Sequence, residues 1–402
     1  MLIGIVADDL TGAADAVAPF AARGLAADVQ WAHEGTLMPY MDATDARAWS
    51  TGTRDFPADQ EKENKRVVVA ATKRLQELNP QLIFKKIDST LRGHLRLELD
   101  AMRAVLPQRI AIVCPAFPQN GRTVKEGMLS APARAELNVQ SAFRLAGDPF
   151  VRQLSLKSLR DKALSLSDHL RALHREGVHT LFCDAERDED LGVIANAVLS
   201  CGNLCLPAGS AGLSNAIASH ASETITNSVL LASARQELAT GPLVAIIGSR
   251  HVVTRRQAAE LGRRVTAAPV LLRSETDYRT LGHEIARRFA NGQRVVLVET
   301  PDDDGFPLRA GFGRLLYQGI VEARSTVRHF GTILTGGQTA EGVLSGIDGC
   351  SGITIVGESE PGVVLARVRA DGLRGFGREG SPLLIKAGGF GDDGTLARCA
   401  GV

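Results

Sequence analysis

Short apolar runs, each closing on a glycine or a polar residue and then entering a stretch of helical character, recur along most of this chain. A run of four to seven β-branched or aliphatic residues is long enough for a buried strand but too short for a helix, and strands alternating with helices belong to α/β architecture. The length of 402 residues exceeds what one hydrophobic core ordinarily serves, about 250 to 300 residues. The expected fold class is therefore α/β, as two α/β domains with a cleft between them.

In the first half the strand signals are "LIGIVAD", "LIFKKI", "IAIVCPAF", "HTLFCDA" and "NLCLPAG", with helices expected to start near Thr11, Ser89, Asp190 and Ala211. From Ser219 to Thr240 the chain is rich in Ser, Thr and Ala and begins no strand, so it reads as a crossing segment. The second half resumes with "LVAIIGS", "RVVLVET", "GTILTGG", "GITIVGE" and "PLLIKAGGFG". The division expected is an N-terminal domain over residues 1–220, a crossing segment over 221–240 and a C-terminal domain over 241–402.

The formal charge of +1, from 46 basic and 45 acidic residues, gives no general pull toward nucleic acid or an anionic membrane. Asp8 and Asp9 interrupt the short apolar run at the start, which argues against a signal peptide or a membrane span. Six cysteines in a chain of this length make no disulfide framework, and the spaced pair Cys201 and Cys205 has no second pair nearby to complete a zinc site. A reducing cytoplasm is the expected location; no metal ligands are assigned.

Functional groups in such folds collect where strands end. In "ADDLTGAAD" Asp8 and Asp9 close the first strand before a Thr-Gly turn, and Gly24 is placed to end the helix that follows. One aspartate suits an N-cap; two adjacent ones exceed what capping requires and point to substrate or catalytic chemistry. In "KKIDSTLRGHL" Lys85 and Lys86 fall on opposite strand faces, while Asp88 and Ser89 are read as a helix start with Arg92 one turn on, an arrangement suited to a carboxylate or phosphate. "CPAFPQNGRT" offers Arg122 on a loop after a buried strand. The small residues of "GSAGL" fit either close approach to a ligand or close helix packing.

The second half is dominated by glycine. "IIGSR", "LTGGQTAEG" and "IKAGGFGDDG" each put small residues at a strand end, where backbone must approach phosphate oxygens, and three such loops suggest a nucleotide. No Walker-type P-loop pattern is present, and neither "GFGREG" nor "GFGDDG" has the context of a dinucleotide fingerprint.

Taken in order, "ADDLTGAAD", "KKIDSTLRG", "PAFPQNGRT", "GSAGL", "GSRHVVTRRQ", "LTGGQT" and "KAGGFG" resemble the signature stretches of the four-carbon acid sugar kinase family, which includes the 3-oxo-tetronate and D-threonate kinases. The resemblance implies an N-terminal domain for the acid sugar and a C-terminal domain for ATP. It places Asp8, Asp9, Lys86, Asp88, Ser89 and Arg92 toward the sugar acid, with Arg122 a further substrate-binding candidate. It likewise implies that Ser249, Gly336, Gly337, Gln338, Thr339, Gly388 and Gly389 face the nucleotide. The stretch from Met128 to Gly147 departs from the family pattern, with no histidine shortly after the Gly-Arg-Thr loop. Phosphoryl transfer calls for ATP with Mg²⁺ and for a carboxylate that accepts the hydroxyl proton, for which Asp8 and Asp9 are the candidates. The expected partners are a sugar acid such as threonate and ATP, with neither nucleic acid nor membrane, and a homodimer allowed.

Two other readings are kept. A ribokinase-like sugar kinase would make Asp15 the base, because "LTGAADA" echoes an anion-hole motif, although that motif belongs late in such chains. A cytoplasmic sugar-acid-binding protein without catalysis would use the same pocket.

Overall fold

The computed structural model describes residues 2–31, 44–132, 134–161, 163–221, 228–272, 275–300, 316, 318–323, 327, 330–345, 350–370 and 382–402. By its internal contacts the chain forms two compact units, Met1–Ala27 with Ala43–Ile225, and Asp28–Asp42 with Thr226–Val402. The second unit thus recruits a short stretch from near the amino end, which the linear division at 221–240 does not include.

In the first unit seven strands form a wholly parallel sheet in the order Ala46–Ser50, Ile3–Ala7, Leu82–Lys86, Cys205–Gly209, Ile110–Cys114, Thr180–Cys183, Val151–Leu154. Ile3–Ala7, Leu82–Lys86, Ile110–Cys114 and Cys205–Gly209 are buried throughout, as expected of parallel strands covered on both faces, and this is why they read as continuous apolar runs. From Ile3–Ala7 the chain pairs first with Ala46–Ser50 on one side and then with Leu82–Lys86 on the other. That reversal is a topological switch point, and Ala7 lies level with both Ser50 and Lys86 at its carboxyl edge. The helix Leu10–Ala21 is buried on every side, and Gly24, at φ +79°, turns the chain after it.

The helix expected near Ser89 begins instead at Leu95. Leu91 at φ +60° and Gly93 at φ +91° put left-handed backbone between Asp88 and that helix, so Asp88–His94 is a loop and Arg92 is not one turn up a helix. The helix expected at Asp190 starts at Asp188, and the one expected at Ala211 starts there. The strand Ala46–Ser50 escaped sequence reading because Arg47 interrupts its apolar character; it is nonetheless buried. The atypical stretch after Arg122 makes a small antiparallel sheet of Thr123–Lys125, Met128–Ser130 and Leu137–Asn138. Asp184 pins it, accepting from the backbone N–H groups of Glu126 and Gly127 at 2.8 and 3.0 Å.

In the second unit the strands Val270–Leu271, Val295–Glu299, Leu243–Ile247, Gly331–Thr335 and Pro382–Lys386 are parallel neighbours in that order. Val363–Ala370 and Cys350–Glu360 continue antiparallel, and Asp28 and Val29 pair with Thr354 and Ile353. A second switch point falls between Leu243–Ile247 and Gly331–Thr335, with Leu243, Ile247, Leu261, Ile333 and Leu384 in the core beneath. Within the crossing segment Ser228–Thr240 is a helix; residues 222–227 and the whole of "GFGREG" lie outside the described residues.

Candidate active site

At the carboxyl edge of the first sheet, Asp9 has extended backbone and caps the helix Leu10–Ala21: its Oδ1 accepts from Gly12 N at 2.9 Å and its Oδ2 from the Thr11 hydroxyl at 2.5 Å. Capping is therefore real, but it does not account for Asp8. Arg54, which sequence reading missed, donates from Nε and Nη2 to the two oxygens of Asp8 at 2.8 and 2.7 Å, and its Nη1 forms an ion pair with Asp9 Oδ2 at 2.7 Å. One guanidinium thus clamps both carboxylates. Burial by itself would raise the Asp8 carboxyl; Arg54, with Lys85 and Lys86 behind it, outweighs that and holds it below the usual carboxylate range.

A second buried network holds the segment that carries Arg54. Lys85 Nζ lies 2.7 Å from Glu98 Oε2, Thr53 donates to Glu98 Oε1 at 2.6 Å, and Thr51 donates to the Ala7 carbonyl at 2.9 Å. Lys85 thus serves the scaffold. Lys86, on the other strand face as expected, donates to the Ile87 carbonyl at 3.1 Å, and its Nζ lies 3.3 Å from where a Cβ on Gly12 would stand. That imaginary Cβ would also collide with Asp9 Oδ1 and lie 3.6 Å from Arg54 Nη2, so only glycine at 12 keeps the space among these charges open.

The anion that the Asp88 loop surrounds is Asp88 itself. Its Oδ2 accepts from Thr90 N at 3.0 Å, the Thr90 hydroxyl at 2.5 Å and Arg92 Nε at 3.1 Å, while Arg92 Nη2 donates to Oδ1 at 2.8 Å. Burial pulls its carboxyl upward, and Arg92 and Thr90 with Arg54 nearby overcome this and hold it far below the usual range. Ser89 stands on the other side of the loop and accepts from Arg122 Nη1 at 2.6 Å. Asp8, Asp9, Lys86, Asp88, Ser89, Arg92 and Arg122 are thus brought to one edge, joined by Arg54. Asp15, on the second turn of the capped helix, lies in the field of Lys86, Asp9, Arg122 and Asp88, and burial pushes its carboxyl up to about 6 against the pull of Lys86. The glycines of "GSAGL" pack the fold: a Cβ on Gly209 would meet the Cys114 carbonyl at 2.8 Å, and one on Gly212 the Ala116 carbonyl at 2.8 Å.

In the second unit the three glycine-rich loops meet. Gly336, at φ +92°, leaves Ser249 N only 3.2 Å from where its Cβ would be, and a Cβ on Gly388 would collide with Ser249 Oγ. Thr339 abuts Gly248 in the same way, and Gly337 opens the helix Gly337–Ser345 that carries Gln338 and Thr339. His251, which caps the helix Val252–Val265 by accepting from Val253 N at 3.2 Å, stands beside Gly389. Beneath this loop Lys386 is fully buried, donating to the carbonyls of Ala387 and Gly388 at 3.0 and 3.4 Å and to Thr254 Oγ1 at 3.3 Å. Burial pushes the Lys386 amine down to about 7. Arg54, His251 and Lys386 were the residues missing from the sequence reading. Lys386 stood in the open, in a motif already marked for its glycines.

Residues 3–146 and 138–217 match the family model for a sugar-binding N-terminal domain, and residues 244–396 the model for a nucleotide-binding C-terminal domain. A D-threonate kinase from Bordetella bronchiseptica is 31% identical, the match spanning 99% of this chain and 96% of that protein. The chain belongs to the four-carbon acid sugar kinase family. Within the family, a D-threonate kinase from Cupriavidus necator is 30% identical over 98% of this chain and 95% of its own length, and a 3-oxo-tetronate kinase from Pseudomonas savastanoi pv. phaseolicola is 27% identical over 97% and 94%. The fold is also that of a solved Salmonella typhimurium protein, 21% identical with a TM-score of 0.73 over 99% of this chain and 98% of that one, and of a Haemophilus influenzae protein, 20% identical with a TM-score of 0.68 over 99% of both.

Proposed function

We propose that this chain transfers the γ-phosphoryl group of ATP to a hydroxyl of a four-carbon sugar acid of the threonate or 3-oxo-tetronate kind. The observation that carries the reading is the gathering of Asp8, Asp9, Lys86, Asp88, Ser89, Arg92 and Arg122 about Arg54 at a switch-point edge, in a chain whose relatives include D-threonate kinases. Cations in such a cluster attract a carboxylate, and carboxylates there accept hydrogen bonds from sugar hydroxyls. In the second unit Ser249, Gly336, Gly337, Gln338, Thr339, Gly388 and Gly389 form the proposed phosphate-facing surface, since glycine lets backbone N–H groups come within reach of phosphate oxygens.

Magnesium enters as part of the MgATP substrate. Among the described residues no three His, Cys, Asp or Glu side chains group into a metal cage, and magnesium is ordinarily carried on phosphate oxygens with one or two carboxylates. Cys114, Cys183, Cys201, Cys205 and Cys399 are free thiols, which suits work in a reducing cytoplasm, and among the described residues no helix is long and apolar enough to cross a membrane.

The test is ATP consumption by the purified chain against a panel of four-carbon sugar acids, with neutral tetroses as controls. Turnover confined to the acids supports the reading and names the substrate. Tight binding of an acid without ADP release would instead establish a binding protein.

A further inference from the structure

We propose that Asp15, rather than Asp8 or Asp9, accepts the proton of the substrate hydroxyl during phosphoryl transfer, a proposal that rests on the kinase reading above. A general base needs a lone pair free to take the proton, and the neighbours of the first strand end have used theirs. Both oxygens of Asp8 are held by Arg54, and those of Asp9 by Gly12 N, the Thr11 hydroxyl and Arg54. Asp88 is likewise occupied by Thr90 and Arg92. Protonating any of these carboxylates would break a charge-assisted contact in a buried setting, which opposes the proton transfer that catalysis requires.

Asp15 differs in each respect. It is 6% exposed, and its Oδ1 has no hydrogen-bond partner among the described residues. A buried carboxylate oxygen left without a donor is costly, and native structures rarely keep one without a reason. The groups that act on it are Lys86 from the strand Leu82–Lys86, Asp9 from its own helix start, and Arg122 and Asp88 from the adjoining loops. From the packed helix Ala211–Ala221 the uncharged Ser214 donates to the Ala16 carbonyl at 2.6 Å. Asp15 therefore borders the cluster proposed to hold the sugar acid, and the resulting balance raises rather than lowers its proton affinity, toward the range where a base is effective near neutral pH.

The step balances as follows. The hydroxyl oxygen forms a bond to the γ-phosphorus as its O–H bond breaks and the proton passes to Asp15 Oδ1. The bond from the γ-phosphorus to the bridging oxygen breaks, its electron pair leaving on ADP, and Asp15 then returns the proton to solvent.

The experiment is the pH dependence of kcat/KM for the sugar acid between pH 5 and 9, in the wild-type chain and in Asp15→Asn, Asp8→Asn and Asp9→Asn, with thermal melts of each. The wild type should show an acid limb with a midpoint near 6. Asp15→Asn should lose at least about 10²-fold in kcat with little change in KM for MgATP, and its residual activity should lack the limb. Asp8→Asn should keep the limb at the same midpoint and Asp9→Asn should keep it with the midpoint moved down, since a like charge near Asp15 is removed, whatever activity they lose. Should Asp15→Asn fail to melt cooperatively, Asp15→Ser carries the same comparison. A wild-type profile without that limb, kcat in Asp15→Asn within tenfold of wild type, or a limb that vanishes in Asp9→Asn overturns the assignment while leaving the kinase reading intact. If the wild type consumes no ATP with any acid of the panel, it is the kinase reading that fails.

Discussion

Arg54 grips Asp8 through two parallel hydrogen bonds of 2.8 and 2.7 Å, with 11% of the arginine side chain and 3% of the aspartate side chain exposed. A fork of this kind, desolvated and shared with Asp9, makes the three residues a single electrostatic unit. It also explains how two adjacent carboxylates coexist at a buried strand end.

Replacing Arg54 by Met should therefore destabilise the chain by roughly 3 to 5 kcal/mol, the range for removing one partner of a buried ion pair. The folded value of Asp8 is depressed, so its contribution to stability is present above the unfolded value near 4 and is lost as pH falls through the folded one. Denaturant melts should show the deficit of Arg54→Met in full above about pH 5 and shrinking toward pH 3. A deficit that does not change with pH would mean that packing, not the ion pair, is what the variant lost.

Asp15 behaves with the opposite sign. Its folded value is raised to about 6, so the folded chain takes up a proton between about pH 4 and 6, and stability falls as pH rises through that window. Asp15→Asn removes this penalty, on the order of 3 kcal/mol for a shift of about two units. The variant should melt above the wild type at pH 7 to 8 and level with it near pH 4. Equal melting at both would show that Asp15 ionises freely in the folded chain.

Lys386 underlies the Gly388–Gly389 loop, and its donors hold the loop carbonyls. Lys386→Met should raise KM for ATP by about tenfold or more while leaving KM for the sugar acid near the wild-type value. Because the folded amine is depressed to about 7, wild-type stability should rise between about pH 7 and 10, as the unfolded amine alone still binds a proton there, and Lys386→Met should lack that rise. An unchanged KM for ATP would remove Lys386 from any part in nucleotide binding.

Arg92 supplies the fork that neutralises Asp88. Arg92→Lys keeps the charge and loses the bidentate geometry, so sugar-acid binding should weaken by roughly 1 to 3 kcal/mol with ATP affinity unaffected. Calorimetric titration of each ligand separates the two; a loss confined to ATP would move Arg92 to the phosphates.

Much of this site was legible in the sequence because strand ends of a parallel sheet share one edge, so motifs that close apolar runs must gather there. "ADDLTG" and "KKID" are 78 residues apart in the chain, yet Ala7 lies level with Lys86; the period-two alternation put Lys85 and Lys86 on opposite faces, and the family resemblance picked Lys86 as the one toward the substrate. Local chemistry also allowed one of the two aspartates as a cap, which the structure assigns to Asp9, and marked Gly24 as a left-handed turn. What the tertiary structure decided is which charges meet. Arg54 follows a strand whose buried Arg47 disguised it, and nothing local ties it to Asp8. The expected helix at Ser89 gave way to a loop because Leu91 and Gly93 adopt left-handed backbone, and that loop wraps its donors around Asp88. Asp15 entered the sequence reading only as the base of a ribokinase-like alternative; burial without a donor at Oδ1 is what sets it apart in the structure. Periodicity and capping are properties of neighbours in the chain, which the sequence displays; desolvation and ion pairing depend on what long-range packing brings near and what water it removes.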